Sequence, residues 1–447
     1  MITRAREHLL ADGMPARETL VSALREHRGA AARMAGLRDA YDAKSDILTR
    51  RRRDGLPNVR IAHPYARYIT SIASGYLLGQ PVTYSVDGKN GTLEAIQALF
   101  RRFSEHAENV QLARDQSICG KGVEYVHVDQ AGLPRVTALR PENAFVVYDD
   151  TCEGRPMFGV HYVPRVRPDG RRDGWRIWVM SDSAVAEYEA ESLEALGQPV
   201  RETPHYFGGV PLVEYWNDDG EKGDFEWVMP LIDAYDRLQS DRVNDKEQFV
   251  DRLLVLTGAV LETDALGRKP MEQLREDHAL QLPDSQARAE YLTSEMNEAD
   301  VEVLRRALAE DIHKLSMVPD LSDERFAGNA SGVAMRYKLL GFEQLIGVKE
   351  RWFEEGLRTR LGLLTHYFAL RGFEPLDVAD IRVSFTRGMP ANLKEAAEIV
   401  HLAREAGAAS VETAVRLLHR GEGWTQNEVD GEAGRIRAES GEGEEAS

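Results

Sequence analysis

Three pairs of adjacent carboxylates, Asp149-Asp150, Asp218-Asp219 and Asp323-Glu324, are the residues best suited by type to hold a divalent cation or share acid/base work. Each pair sits among turn-forming residues, where a short carboxylate hydrogen-bonds its own backbone, and their context favours that turn reading. No ordered constellation accompanies them. The chain has no P-loop, GxGxxG, GxSxG or HExxH, and its 12 histidines are scattered, with no pair at helical ligand spacing. Cys119 and Cys152 are the two cysteines; they form no CxxC and imply neither a disulfide framework nor a zinc knuckle. The residues therefore predict no catalytic centre, no cofactor and no metal. The competing enzyme would be a metal-dependent hydrolase built on Asp149-Asp150.

A different chemistry lies in segment 319–332. Asp323, Glu324 and Arg325 carry charge, Phe326 brings an apolar ring, and Asn329 and Ser331 follow Gly328. Arg325, Asn329 and Ser331 have the donors that touch phosphate oxygens without reading sequence. So few apolar side chains hold such a loop that it changes conformation at low cost. Ser331 is placed to cap the helix that follows.

That helix is the strongest element signal in the chain. Residues 328–372 read as one helix or two in tandem, and at about 1.5 Å per residue this is roughly 60 Å of rod, long for a compact domain. Val333, Tyr337, Leu340, Leu345, Val348, Trp352, Leu357, Leu361, Leu364 and Phe368 make an apolar stripe. Lys349, Glu350, Arg351, Glu354, Glu355, Arg358 and Arg360 occupy much of the rest. Gly341, Gly347, Gly356 and Gly362 each cost about 1 kcal/mol against alanine and mark kinks or close approaches. A sustained coiled-coil scaffold is excluded by these glycines and by the strands elsewhere.

The remaining elements follow from periodicity. Residues 1–50 are Ala/Arg/Glu/Leu-rich and helical in pattern, 63–78 continue as helix with Tyr65, Tyr68, Ile69, Ile72 and Tyr76 on one face, and 93–119 are helical again. A strand is predicted at 82–86, and segments 123–128, 136–139, 145–150, 157–163 and 175–180 form an antiparallel meander with turn chemistry at 168–170 and 172–174. Helix returns over 230–256, yet 236–248 is polar nearly all round, as in a helix that crosses solvent or packs on copies of itself. Asn297 caps a further helix with Val301, Leu304, Leu308, Ile312 and Leu315 on one stripe. A strand at 381–385, a helix from Leu393 capped by Asn392 with Glu395, and a disordered acidic tail at 439–447 complete the chain.

Composition narrows the partners. The 447 residues suffice for two to four domains, and 43% apolar with 29% charged is ordinary for globular proteins. No apolar run approaches the roughly 18 residues of a membrane span, the first residues do not form a secretory signal, and an intracellular, reducing site of folding is the default. A net charge of −18 argues against tight, static binding to nucleic acid and suits a surface along which DNA moves without sticking. The one basic cluster, Arg50 to Arg53, precedes a turn-rich loop and reads as solvated, with a phosphate or partner contact as the sharper alternative.

The blocks YARYITSIASGYLLGQPVTY, GDFE with PLIDAYD and QSDRVNDKEQF, SGVAMRYKLLG, and IRVSFTRGMPANLKEAAEIV run in an order that resembles the portal proteins of tailed bacteriophages, specifically siphophages of Gram-positive hosts. The resemblance spans residues from about 60 to 400. It implies an α+β portal fold with long stem helices, a β-rich wing, a small α/β clip and a helical crown. Carried onto this chain, it implies an N-terminal helical region (1–60), a wing (61–229, rejoined by 333–390), stem helices (230–256 and 297–318), a clip (257–296), a tunnel loop (319–332), a crown (391–438) and the acidic tail (439–447). The tunnel-loop residues are then Asp323, Glu324, Arg325, Phe326, Asn329 and Ser331. The implied partners are other copies in a ring of about twelve, double-stranded DNA held non-specifically in the channel, the terminase large subunit, a head-tail connector protein, and the major capsid and scaffolding proteins. The implied place is the virion portal vertex, after assembly in the host cytoplasm, with no membrane and no enzymatic activity. A non-portal capsid scaffold protein is the alternative outside the enzymes.

Overall fold

Phe145 and Val147, Phe158 and Val160, and Ile177 and Val179 each lie two residues apart on a strand, so all turn to one face of a sheet. The computed structural model describes residues 1–10, 13–53, 56–250, 253–257, 288–292, 298–322, 337–387, 393–419 and 426–440. That sheet has six strands in the order β1 (Ile2–Arg4), β5 (Ala144–Asp149), β6 (Pro156–Val166), β7 (Arg172–Met180), β8 (Ala184–Ala190) and β9 (Arg201–Pro204). Every pair is antiparallel except β1 with β5. Leu20, Ala23 and Leu24 of helix α1 (Arg17–Tyr41) close one face into an apolar core. A second sheet orders β10 (Leu212–Trp216), β3 (Lys121–Val128) and β4 (Pro134–Leu139). Val123, Ala144, Val146, Met180, Val210 and Leu212 fill the space where the two sheets meet.

Several expectations are corrected here. The segments read as one meander divide between two sheets, because the chain leaves β4 and re-enters a different sheet at β5. The first residues, read as helix, begin with strand β1, whose Ile2 seals the sheet core at 8% exposure. Residues 172–174, read as a turn, belong to β7. The single helix read over 93–119 is two, α3 (Gly91–Phe103) and α4 (Glu105–Cys119), broken at Ser104 in the left-handed region. The break turns Glu105 inward, where it meets a buried cation. Gly120, at φ +86°, ends α4 against the Glu221 carbonyl, and an added Cβ would lie 2.0 Å from that oxygen. Helix α2 (Tyr65–Leu77) and the strand pair β2 (Thr83–Ser85) with β13 (Arg382–Ser384) match the sequence pattern.

The chain forms two compact units: Met1–Ala43 with Pro64–Met229 and His313–Ser447, and Lys44–His63 with Pro230–Ile312. The second is built on α5 (Met229–Val250) and on α6 (Glu298–Ser316) as far as Ile312. The helix read over 230–256 stops earlier, and its apolar end becomes β11 (Leu253–Thr257), antiparallel to β12 (Arg288–Leu292). The polarity of α5 has a cause within the chain. Asp236, Ser240 and Asn244, four residues apart on one helix face, are fully buried. The extended segment 59–63 lies on them with its own period of two: Val59 N–H donates to Asn244 Oδ1 at 2.6 Å, Ile61 N–H to Ser240 Oγ at 2.9 Å and His63 N–H to Asp236 Oδ1 at 2.8 Å. Asn244 also donates to the Val59 carbonyl at 3.0 Å. On another side of α5, Arg242 pairs with Glu302 and Lys246 with Glu298 of α6. Part of the helix's polarity is therefore used within the chain, while Asp236 Oδ2 and Gln239 Oε1 are buried without a hydrogen-bond partner.

The basic run is divided by the same alternation. Arg50 and Arg52 both pair with Asp241, while Arg51 and Arg53 are exposed. The cluster is half structural, not wholly solvated. The stripe read on α6 is also only partly buried: Ile312 is at 0% exposure, but Leu304 and Leu315 are at 50% and 58%.

The segment on α5 yields a prediction. Asn244→Ala leaves one buried N–H and one carbonyl of Val59 unpaired, and urea unfolding should show a loss of about 1–3 kcal/mol. Replacing the exposed Glu247 with alanine should cost under about 0.5 kcal/mol. A second prediction concerns pH. His161 stacks on Trp178, and burial lowers its pKa to about 4 from the ordinary 6.5. The unfolded chain then binds the extra proton between those values, so stability falls as pH drops from 6.5 towards 4. His161→Phe should flatten unfolding free energy against pH in that window, by at most about 1.4 kcal/mol per pH unit.

Candidate functional site: the base of the 323–336 segment and the anchored long helix

The residues singled out for contact with phosphate, Asp323, Glu324, Arg325, Phe326, Asn329 and Ser331, lie outside the described residues. The caps proposed for Asn297 and Asn392 lie outside them too. The structure does describe both ends of the segment that carries them, and both hang from α2. On the incoming side Tyr68 Oη donates to the Pro319 carbonyl at 2.9 Å and accepts from Leu321 N–H at 2.9 Å. Burial raises the Tyr68 phenol pKa, so it stays a neutral donor. Asp320 turns back on Ser322, taking its N–H at 2.9 Å and its hydroxyl at 2.6 Å. His313 Nδ1 meets the Val318 carbonyl at 3.0 Å and its ring packs edge-on against Tyr65 and Tyr68. On the outgoing side Tyr76 hydrogen-bonds Glu343, and its ring packs on Phe342. Tyr68 and Tyr76 are two helical turns and a little apart on α2, roughly 12 Å. The aromatic face of α2 read from the sequence is thus the clamp that sets the two feet of the segment.

The outgoing foot leads into α7 (Leu340–Leu370), a continuous helix of 31 residues. The sequence places Lys349 and Arg360 off its apolar stripe; the structure buries them at 1% and 0% exposure. They fall eleven residues apart, so three turns bring them to one face. Lys349 Nζ meets both Asp224 oxygens at 3.0 and 2.8 Å, and also hydrogen-bonds Asn217 Oδ1. Ser117 donates to the same Asp224 at 2.6 Å. Arg360 makes four hydrogen bonds: two to Glu124 at 2.8 and 2.7 Å, one to Glu105 at 2.5 Å and one to Asn109 Oδ1 at 2.8 Å. Tyr215 Oη donates to Glu124 at 2.8 Å and Tyr84 Oη to Glu105 at 2.7 Å. Burial pushes the Glu124 carboxyl up, and the Arg360 guanidinium opposes it. Between the two cations lies Gly356, where an added Cβ would come within 2.4 Å of the Tyr215 ring. That is a close approach; Gly341 and Gly347 face open space instead.

In two of the carboxylate pairs considered for metal, the first member is engaged elsewhere. Asp149 accepts from Arg6, from the Thr151 hydroxyl at 2.6 Å and from the Arg155 N–H at 3.1 Å. Asp218 accepts the Lys222 N–H at 3.0 Å in its own turn. Asp323-Glu324 lies outside the described residues. Among the described residues no group of three His, Cys, Asp or Glu gathers at metal-ligand spacing, and no helix is long and apolar enough to cross a membrane.

What these features define is an α+β protein whose buried chemistry positions a rod and a loop. A family model described as "Phage portal protein, SPP1 Gp6-like" matches residues 24–446. The chain belongs to that family of phage portal proteins, which makes it a structural component of a phage particle by class. It is 23% identical over 397 residues to the portal protein of Bacillus phage SPP1, covering 85% of this chain and 76% of that one. It is 22% identical over 385 residues to the portal protein of Clostridium phage phiCD119, covering 80% and 83%. Among solved structures, a chain from "Neck of native GTA particle computed with C12 symmetry" matches with a TM-score of 0.42 at 13% identity, over 79% of this chain and 89% of that one, a likeness too slight to bear on the fold.

Two variants test the anchoring. Arg360→Met leaves Glu105 and Glu124 buried without their cation and should lower unfolding free energy by about 3–5 kcal/mol in urea. Tyr68→Phe should leave global stability nearly unchanged but speed amide exchange at Leu321 about tenfold, the equivalent of one lost hydrogen bond. Unchanged exchange at Leu321 would count against the clamp.

Proposed function

We propose that this chain is the subunit of a ring of about twelve copies at one capsid vertex, and that double-stranded DNA passes through its axis during packaging and ejection. The observation that carries the proposal is the family match, which runs through 24–446 without leaving out a unit of the fold. In this reading 61–229 with 333–390 forms the wing, 230–256 and 297–318 the stem, 257–296 the clip, 319–332 the tunnel loop and 391–438 the crown. The clip docks the terminase large subunit and then the head-tail connector, and the ring meets capsid and scaffolding proteins from outside. Assembly takes place in the host cytoplasm and the ring itself catalyses nothing.

The electrostatics suit passage better than capture. A chain of net charge −18 repels a phosphate backbone outside the channel, so contact is weak and independent of sequence. The contacts of Tyr68 and Tyr76 fix the described residues on either side of the proposed tunnel loop. Rings far above the 50.1 kDa chain mass should appear by light scattering and electron microscopy; a particle of chain mass at every salt and protein concentration would sink the proposal. Deleting 326–328 should leave rings intact and lower DNA packaging into proheads. Loss of rings, or packaging at the wild-type level, would remove the loop from the mechanism.

A further inference from the structure

Two surfaces of the first unit remain without a role, and they are opposite in shape. One is a cleft of about 780 Å³ between β7–β9, β3 and the last turn of α7. Tyr125, Trp178, Phe207 and Tyr206 line it, with Arg201 and Arg371 beside them. The rim is apolar and open: Tyr206 is 61% exposed and Leu370 62%. Among the described residues neither arginine meets a carboxylate; Arg371 lies over the Tyr367 ring and donates to the Gly132 carbonyl at 3.0 Å. Glu187, the one acid lining the cleft, is taken by Arg176. In a chain of net charge −18 this is a cationic, aromatic hollow.

The other surface is a knob. Trp227, in the short helix Glu226–Val228, is 73% exposed, the most exposed tryptophan described. The Lys222 ammonium lies over its ring, and the Lys222 N–H binds Asp218, so the Asp218-Asp219 turn stands at its side. The knob is rigid, because Glu226 is held by Arg33 and by Gly223 N–H. It is also distant from the cleft. Asn217 and Asp224 tie its loop to Lys349, whereas the cleft is bounded by Leu370 and Arg371, and 21 helical residues separate them, roughly 30 Å.

We infer that Trp227 of one copy seats in the Tyr125/Trp178/Tyr206/Arg371 cleft of the next. The inference rests on the ring reading above and names the contact that closes it. A head-to-tail ring needs two different patches at separated places on one chain, and these two are separated along α7. Aromatic anchors in desolvated pockets dominate interfaces, and a hollow of this volume admits an indole with its neighbours. The charges agree on balance: Glu226 pairs with the Lys222 ammonium over the indole, Asp218-Asp219 accompany the knob, and Arg201 and Arg371 line the hollow.

The test uses the full-length chain and three exposed positions, so that folding is preserved; circular dichroism and thermal unfolding check this. Trp227→Ala removes the knob and leaves the hollow. Tyr206→Ala with Arg371→Glu spoils the hollow and leaves the knob. Each variant alone should lose the ring in light scattering. Mixed in equal amounts they have one good contact between them, and should give a heterodimer of twice the 50.1 kDa chain mass and nothing larger. Rings of wild-type mass from either variant would overturn the contact, as would a mixture that stays monomeric or forms full rings. Wild-type protein that is itself monomeric would instead overturn the ring reading, and the contact with it.

Discussion

The structure depends on two cations that have no access to water. An arginine and a lysine on one face of a 31-residue helix are stable only if their carboxylates are delivered to within hydrogen-bond distance. Arg360 requires Glu105 from the start of α4 and Glu124 from β3; Lys349 requires Asp224 from the loop after β10. Three parts of the first unit are therefore tied to one rod. Apolar packing alone would let the helix slide or rotate by a fraction of a turn at little cost. A buried ion pair does not, since a shift of an ångström or two leaves a charge unsolvated. The Gly356–Tyr215 contact acts in the same direction, because the tyrosine that closes on the glycine also holds Glu124.

A fixed rod makes a fixed origin for what hangs from it. The segment 323–336 departs from Leu321, held by Tyr68, and returns at the start of α7, near Tyr76. Its feet are set by one face of one helix, and that helix is packed in the same unit as the rod. In the second unit, backbone amides of 59–63 occupy the polar face of α5, and ion pairs to α6 occupy another side. Both units thus use polar side chains as internal positioning devices, at places where a sequence of this composition is easily mistaken for surface.

Periodicity made the elements legible and left their partners hidden. The long helix, α2, most strands and the family resemblance follow from spacing and motif order. Lys349 and Arg360 did not, because a charged residue on a helix is normally solvated, and nothing local distinguishes them from Arg351 or Arg358. The signal that existed was relational: Glu124 interrupts the apolar strand pattern VEYVHV, and both it and Glu105 lie more than 200 residues earlier in the chain. The polar face of α5 reads as anomalous, but its partner within the chain stays hidden, since an extended segment with period two, meeting a helix with period four, leaves no mark in either sequence alone. The Ser104 break escaped because serine is unremarkable in a helix until a neighbouring carboxylate must face inward.

The strap of residues 59–63 on α5 also sets an order of events. Its partners are 173 to 185 residues further along the chain, and the buried acids Glu105 and Glu124 wait longer still, for Arg360. A ribosome that has made the first sheet has therefore made neither a finished second unit nor a neutralised first one. Loop closure over such distances is slow, and it comes late. The chain acquires surfaces rigid enough to join another subunit only after α7 has been synthesised, so self-association is postponed until each copy is almost whole.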